Sequence, residues 1–147
     1  MHYDGKFKIK ASREKVFNFL LDPNAMAKCL PDLQTVDVKS ADRFLATVKV
    51  GVGFVRGNFK FDFNVVEKDP PKMAKLVAHG SGTGSTIDLE TIFELSDVSG
   101  GGTELSWQAD AQVGGMIASV GQRLIGGLAE KTVTSLFDTI KVELEKS

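Results

Sequence analysis

From Met116 to Glu145 the chain reads as one amphipathic stretch, preceded by strands that alternate almost without error. A helix of about 30 residues is roughly 45 Å long, more than a sheet in a chain of 147 residues needs as a cover. Apolar residues recur at helical spacing at Ile117, Val120, Leu124 and Leu128. They continue at Val133, Leu136, Phe137, Ile140 and Leu144 after a drift of phase near Lys131-Thr132. Gly121 and the pair Gly126-Gly127 lie inside this stretch, each costing about 1 kcal/mol against alanine in a helix interior. A bend or local unwinding is predicted at Gly126-Gly127. A long helix with glycines, gripped by a sheet, points to a fold that keeps space inside.

The strands come from alternation. Tyr3, Gly5, Phe7 and Ile9 alternate with Asp4, Lys6, Lys8 and Lys10. Ser12 caps a short helix to about Leu21, with Val16, Phe17, Leu20 and Leu21 as its apolar stripe. Asp22-Pro23 ends it and opens a second short helix, Asn24 to Cys29, which Pro31 closes. Val36 and Val38 mark a short strand, followed by Phe44, Ala46, Val48, Val50 and Val52 on one face of the next. Phe59, Phe61, Phe63 and Val65 face inward against Lys60, Asp62 and Asn64. Asp69-Pro70-Pro71 is a turn, and Ala74, Leu76 and Ala78 carry the pattern on. Ile87, Leu89, Thr91, Phe93 and Leu95 form another inward set. After a hairpin at Gly100-Gly101-Gly102 come Leu105, Trp107, Ala109, Ala111 and Val113. Such alternation is the mark of an antiparallel sheet with one face buried and one wet. The order is strand, two short helices, six strands and a long helix, an α+β arrangement in a single domain spanning 1–147. Gly80 to Ser85 is expected to be a loop or a bulged strand junction.

Composition narrows the partners. The net charge is −1, so no broad field favours a nucleic-acid backbone. Lys6, Lys8 and Lys10 share one strand face, where the simplest reading is an edge that resists aggregation. Cys29 is the only cysteine, so no internal disulfide forms and a cytoplasmic compartment fits. The chain has no signal-type apolar core near its start and no run of about 18 apolar residues. Membrane contact is therefore expected to be peripheral, at the inner face.

Catalytic chemistry is sparse. His2 and His79 are the only histidines. His2 is terminal, and His79 is out of phase with Ala74, Leu76 and Ala78. The carboxylates Asp88, Glu90, Glu104 and Asp110 take outward positions, whereas paired acids must project into a pocket to act. No spacing suits a metal, and the glycines at 51, 53 and 57 lack the register of a dinucleotide loop. Cys29 follows Lys28, which would lower its pKa modestly, but reads as a small buried hydrophobe. No catalytic residue, metal or cofactor is assigned.

What remains is the inward surface. Phe44, Phe59, Phe61, Phe63, Ile87, Leu89, Phe93 and Trp107 are bulky, whereas Ala109 and its neighbours are small. Together with Leu124, Gly127 and Leu128 of the long helix they are the candidate lining of an apolar cavity.

Several motifs carry a resemblance. These are Asp22-Pro23, Cys29-Leu30-Pro31, Val48-Lys49-Val50-Gly51-Val52-Gly53 and Asp69-Pro70-Pro71. The most specific is Ala111-Gln112-Val113-Gly114-Gly115-Met116-Ile117-Ala118 with Gly121, Arg123-Leu124-Ile125 and Gly127. The chain resembles the CoxG family of carbon monoxide dehydrogenase proteins over nearly its whole length. It departs from the family pattern at Asp32, Phe54 and Phe61, where glycine, proline and glycine are common. The resemblance implies a START-like helix-grip fold of the SRPBCC superfamily, in which a curved seven-stranded antiparallel sheet wraps a long C-terminal helix around a hydrophobic cavity. It also implies a role beside a molybdenum-containing carbon monoxide dehydrogenase, in maturation or membrane recruitment. The resulting expectation is a non-enzymatic module for a hydrophobic small molecule such as a lipid or quinone. Two alternatives stand beside it: a protein or membrane docking module with a filled core, and a cyclase or hydratase acting in the cavity. The last requires an acid or base inside the cavity, for which only Thr91, or Lys75 or His79 turned inward by a one-residue register shift, could serve.

Overall fold

The computed structural model describes residues 1–146. Its elements are β1 (His2–Ile9), α1 (Arg13–Leu20), α2 (Pro23–Cys29), β2 (Leu33–Ser40), β3 (Arg43–Val52), β4 (Val55–Asp69), β5 (Met73–Gly82), β6 (Ser85–Asp97), β7 (Thr103–Gly115), a 3-10 turn (Met116–Val120) and α3 (Gln122–Glu145). The strands form one seven-stranded sheet in the order β1-β7-β6-β5-β4-β3-β2. Every pairing is antiparallel. α1 and α2 fill the connection from β1 to β2, and the sheet grips α3.

The local chemistry explains the boundaries. Ser12 caps α1 by accepting a hydrogen bond from the Lys15 amide at 3.3 Å. Asp22 caps α2 by accepting from the amides of Asn24 and Ala25, and Pro23 sits in the first turn of α2, where its missing donor costs nothing. Asp32, where the family pattern commonly has glycine, keeps a left-handed backbone with φ 57°. The β3–β4 and β5–β6 connections are two-residue turns at Gly53-Phe54 and Thr83-Gly84. The Gly80 to Ser85 stretch is therefore continuous strand on either side of a tight turn, not a loop.

The long helix differs most from expectation. α3 has 24 residues, not 30, and begins at Gln122. Met116–Val120 is a separate 3-10 turn, and Gly121 between the two adopts φ 102° and ψ 151°. That conformation suits glycine almost alone. The break resets the helical phase. Ile125 is buried, whereas Leu124 is 50% exposed, so the stripe runs through Ile125, Phe137, Ile140 and Leu144. Gly126-Gly127 is unbroken helix; the tolerance for bending is used five residues earlier.

Candidate functional site

Strand register decides which side chains face α3. Across β4, β5, β6 and β7 the pairs Phe63–Ala78, Leu76–Thr91, Ala78–Leu89, Gly80–Ile87 and Thr91–Ala109 lie directly opposite each other. Directly paired residues share a face, so these form one inner surface. Val36 and Val38 of the edge strand β2 belong to the same surface, opposite Ala46 and Phe44.

This surface is not sealed evenly. At one end Ile9, Leu20, Phe93, Leu95, Leu105, Trp107, Phe137, Ile140 and Leu144 form a buried cluster under α1 and the last turns of α3. Phe137 is its hub, stacked on Phe7 at 4.4 Å and Trp107 at 6.4 Å, with Phe93 edge-on at 6.5 Å. At the other end Val50, Val52, Val55, Phe59, Phe61, Ala78 and Ile117 form a second cluster beneath the hairpin tips and the 3-10 turn. A smaller group, Ala27, Phe44 and Ala46, sits against α2. Between the clusters, Tyr3, Phe63, Leu76, Ile87, Leu89, Thr91 and Ala109 remain partly exposed although they face α3. An uncharged sheet face under a helix would ordinarily close completely.

Two glycines shape this surface. A Cβ on Gly80 would lie 2.3 Å from the Phe61 ring, and one on Gly5 would lie 2.8 Å from Trp107 Nε1. Each ring therefore lies flat across the neighbouring strand. Packed over Gly5, the Trp107 indole N–H has no hydrogen-bond partner although it is buried. The polar side-chain groups on the partly exposed stretch are the hydroxyls of Tyr3 and Thr91. Tyr3 reaches to within 4.0 Å of a Cβ position on Gly126, so Gly126, not Gly127, is the glycine on the inner side of α3.

The candidate lining is thus divided. Phe63, Ile87, Leu89, Ala109 and Leu128 are partly exposed on the inner side. Phe59 is fully enclosed in its cluster, as nearly are Phe61, Phe93 and Trp107, and Phe44 stacks on Phe63 at 4.7 Å. Leu124 is exposed and Gly127 lies on the outer face of α3 with open space around it. Tyr3, Leu76, Thr91 and Gly126 belong to the stretch although sequence reasoning missed them as lining. Register pairing finds Leu76 and Thr91, because both stand in the inward alternation.

The ionisable groups are on the other face. His79 Nδ1 lies 2.6 Å from Asp88 and Lys75 Nζ 3.0 Å from Glu90. The register shift that would turn His79 or Lys75 inward does not occur. Arg43 makes two hydrogen bonds to Asp62 and holds its carboxyl below the usual range. The same outer face has a hollow of about 400 Å³ lined by Asp62, His79, Asp88, Glu90 and Asp110, but no group of acids, histidines or cysteines among the described residues is arranged to hold a metal ion. Cys29 is buried, and burial pushes its thiol pKa up, against the lowering expected from Lys28. No helix among the described residues is long and apolar enough to cross a membrane.

Comparison with known proteins agrees with this architecture. The family model for the G subunit of carbon monoxide dehydrogenase (CoxG) matches residues 5–145. No curated protein matches. A conserved protein from Geobacillus kaustophilus is 28% identical with a TM-score of 0.92, covering 100% of this chain and 97% of that one. A START superfamily protein from Mycobacterium smegmatis superposes with a TM-score of 0.75 at 15% identity, over 99% and 97% of the two chains. The Zhui aromatase/cyclase from Streptomyces sp. R1128 superposes with a TM-score of 0.74 at 11% identity, over 99% and 94%. The last two likenesses show the START-like fold alone.

Proposed function

Because the chain belongs to the CoxG family of carbon monoxide dehydrogenase proteins, we propose that it is a non-catalytic module holding an apolar small molecule, a lipid or an isoprenoid quinone, between sheet and α3. Its place is the cytoplasm, at the inner face of the membrane, as an accessory in the maturation or recruitment of a molybdenum-containing carbon monoxide dehydrogenase. The observation that carries this reading is the partly exposed inner stretch Phe63, Leu76, Ile87, Leu89 and Ala109 between two buried clusters. It is uncharged, and the hydroxyls of Tyr3 and Thr91 offer a polar contact for one end of a ligand. An apolar ligand burying about 300 Å² there would gain roughly 7 kcal/mol before ordering costs.

His79 and Lys75, two of the groups a cyclase or hydratase would call on, pair with Asp88 and Glu90 on the outer face, which favours the binding reading. The likeness to an aromatase/cyclase supports the shared fold and not its reaction.

Trp107 is the only tryptophan and abuts this stretch, so its fluorescence reports occupancy. Titration with a panel of quinones and lipids is expected to quench it saturably. Ala109→Phe, which fills the stretch, is expected to weaken binding at least about ten-fold, a change of roughly 1.4 kcal/mol, while circular dichroism stays native. Absence of quenching across the panel, together with no apolar molecule in native mass spectra of the purified chain, would refute the reading.

A further inference from the structure

One end of the molecule combines three exposed apolar side chains with the exposed cations Arg56 and Arg123. Phe54 is 62% exposed, Leu124 50% and Met116 49%. They come from three different segments that meet. A Cβ on Gly53 would lie 3.1 Å from Val120 and 3.5 Å from Leu124, which places the β3–β4 turn against the 3-10 turn and the start of α3. A Cβ on Gly84 would lie 3.3 Å from Met116 Sδ, which adds the β5–β6 turn. Phe54 stands at the very tip of its hairpin, where nothing in the fold requires an aromatic ring.

The charge at this end is one-sided. The chain has no Asp or Glu in residues 43–61, 70–87 or 111–129, the segments that build it. Of the exposed cations they carry, Arg56 and Arg123 flank the tip, whereas Lys49 lies beside Asp32, whose carbonyl accepts from its amide, and Lys60 stands two residues from Asp62 on one strand face. With a net charge of −1 for the whole chain, the carboxylates are concentrated elsewhere. An apolar tip flanked by Arg56 and Arg123 matches the interface of an anionic bilayer, where apolar side chains enter the acyl boundary and Lys or Arg meet the headgroups. A protein partner would more commonly meet a mixed polar rim.

We propose that this end, with Phe54, Met116 and Leu124 as the inserting residues and Arg56 and Arg123 beside them, docks on an anionic phospholipid surface. The inference deepens the binding reading: a module docked this way presents its hairpin tips, and the inner stretch behind them, to the phase in which a lipid or quinone dissolves. It does not require a ligand to be present, so the two are separable by experiment.

The test is co-sedimentation of the full chain with vesicles of phosphatidylglycerol and phosphatidylcholine in equal parts, against phosphatidylcholine alone. Selective binding to the anionic vesicles, weakened by salt, is expected. Phe54→Ser is expected to lower the partition about ten-fold, the change that burial of one large apolar side chain carries. The double variant Arg56→Glu, Arg123→Glu is expected to abolish the preference for anionic lipid. Circular dichroism and the Trp107 response to a quinone in detergent serve as controls, and both should stay at wild-type levels. Failure of the intact chain to bind anionic vesicles would overturn the proposal even with quinone binding intact. So would vesicle binding that neither variant alters. Loss of a dehydrogenase contact in Phe54→Ser, with vesicle binding unchanged, would assign the tip to a protein partner instead.

Discussion

The two ends of the sheet are closed by different means. Under α1 and the last turns of α3, closure is by mass: Phe7, Phe93, Trp107 and Phe137 stack around one another, and Ile140 and Leu144 complete the seal. Under the hairpin tips, closure depends on the 3-10 turn and a few hydrogen bonds. The Met116 amide donates to the Gly84 carbonyl at 3.0 Å, and the Ile117 amide donates to Ser85 Oγ at 2.9 Å. Ile117 is the one fully buried side chain of that turn, and Val120 packs partly buried against the same cluster. The first end, with the larger buried cluster, is therefore expected to be the more stable, and the second to open first. Local opening starts where buried apolar contacts are few.

The largest effect expected is at the packed end. Phe137→Ala removes the hub of the aromatic stack and should cost about 3–5 kcal/mol, read as a shift of the denaturation midpoint. A loss below about 1.5 kcal/mol, the low side of burying one large side chain, would break the comparison. At the tied end, Ser85→Ala leaves the Ile117 amide without its acceptor and should cost about 1–3 kcal/mol. Hydrogen exchange should accelerate around residues 116–121 while β1 and α1 keep their protection. Uniform acceleration would mean that the two ends open together.

Two smaller effects sharpen the picture. Gly127 faces open space on the outer side of α3, so Gly127→Ala should stabilise the chain by about 1 kcal/mol and leave ligand affinity unchanged. A loss of affinity would return Gly127 to the lining. The smallest effect concerns pH. Asp62 has its pKa lowered mainly by its hydrogen bonds to Arg43. A lowered folded-state value means that its contribution is present above the ordinary carboxylate range and is lost as pH falls through the depressed pKa. Both partners are substantially exposed, so the loss is small. The acid limb of the stability profile should flatten slightly in Asp62→Asn, and an unchanged limb would show that solvent screens the pair completely.

Most of the fold was legible because strand alternation has a period of two and tolerates little ambiguity. Phe59, Phe61, Phe63 and Val65 against Lys60, Asp62 and Asn64 could point only one way, and the outward placement of His79 followed from the same count. The resemblance motifs then gave the topology that alternation cannot. The long helix was less legible because a 3-10 turn and an α-helix share nearly the same apolar spacing over five residues. Nothing in Met116 to Val120 says that Gly121 will take an extended left-handed conformation, and that one residue turned Leu124 outward. The candidate site was only half visible for a related reason. Sequence shows which side chains face inward, but whether a facing ring such as Phe59 is enclosed, or one such as Phe63 stays partly exposed, depends on packing between distant segments.

The rings that lie across Gly5 and Gly80 set a rule for how this surface can change over evolutionary time. Trp107 and Gly5, like Phe61 and Gly80, face each other across adjacent strands, and each pair fills a single volume. A larger residue at either glycine demands a smaller one at the ring, so the two positions are inherited as one size class. Relatives that carry glycine where Phe61 stands should show side chains at position 80, and their inner walls would then be built from the opposite strand.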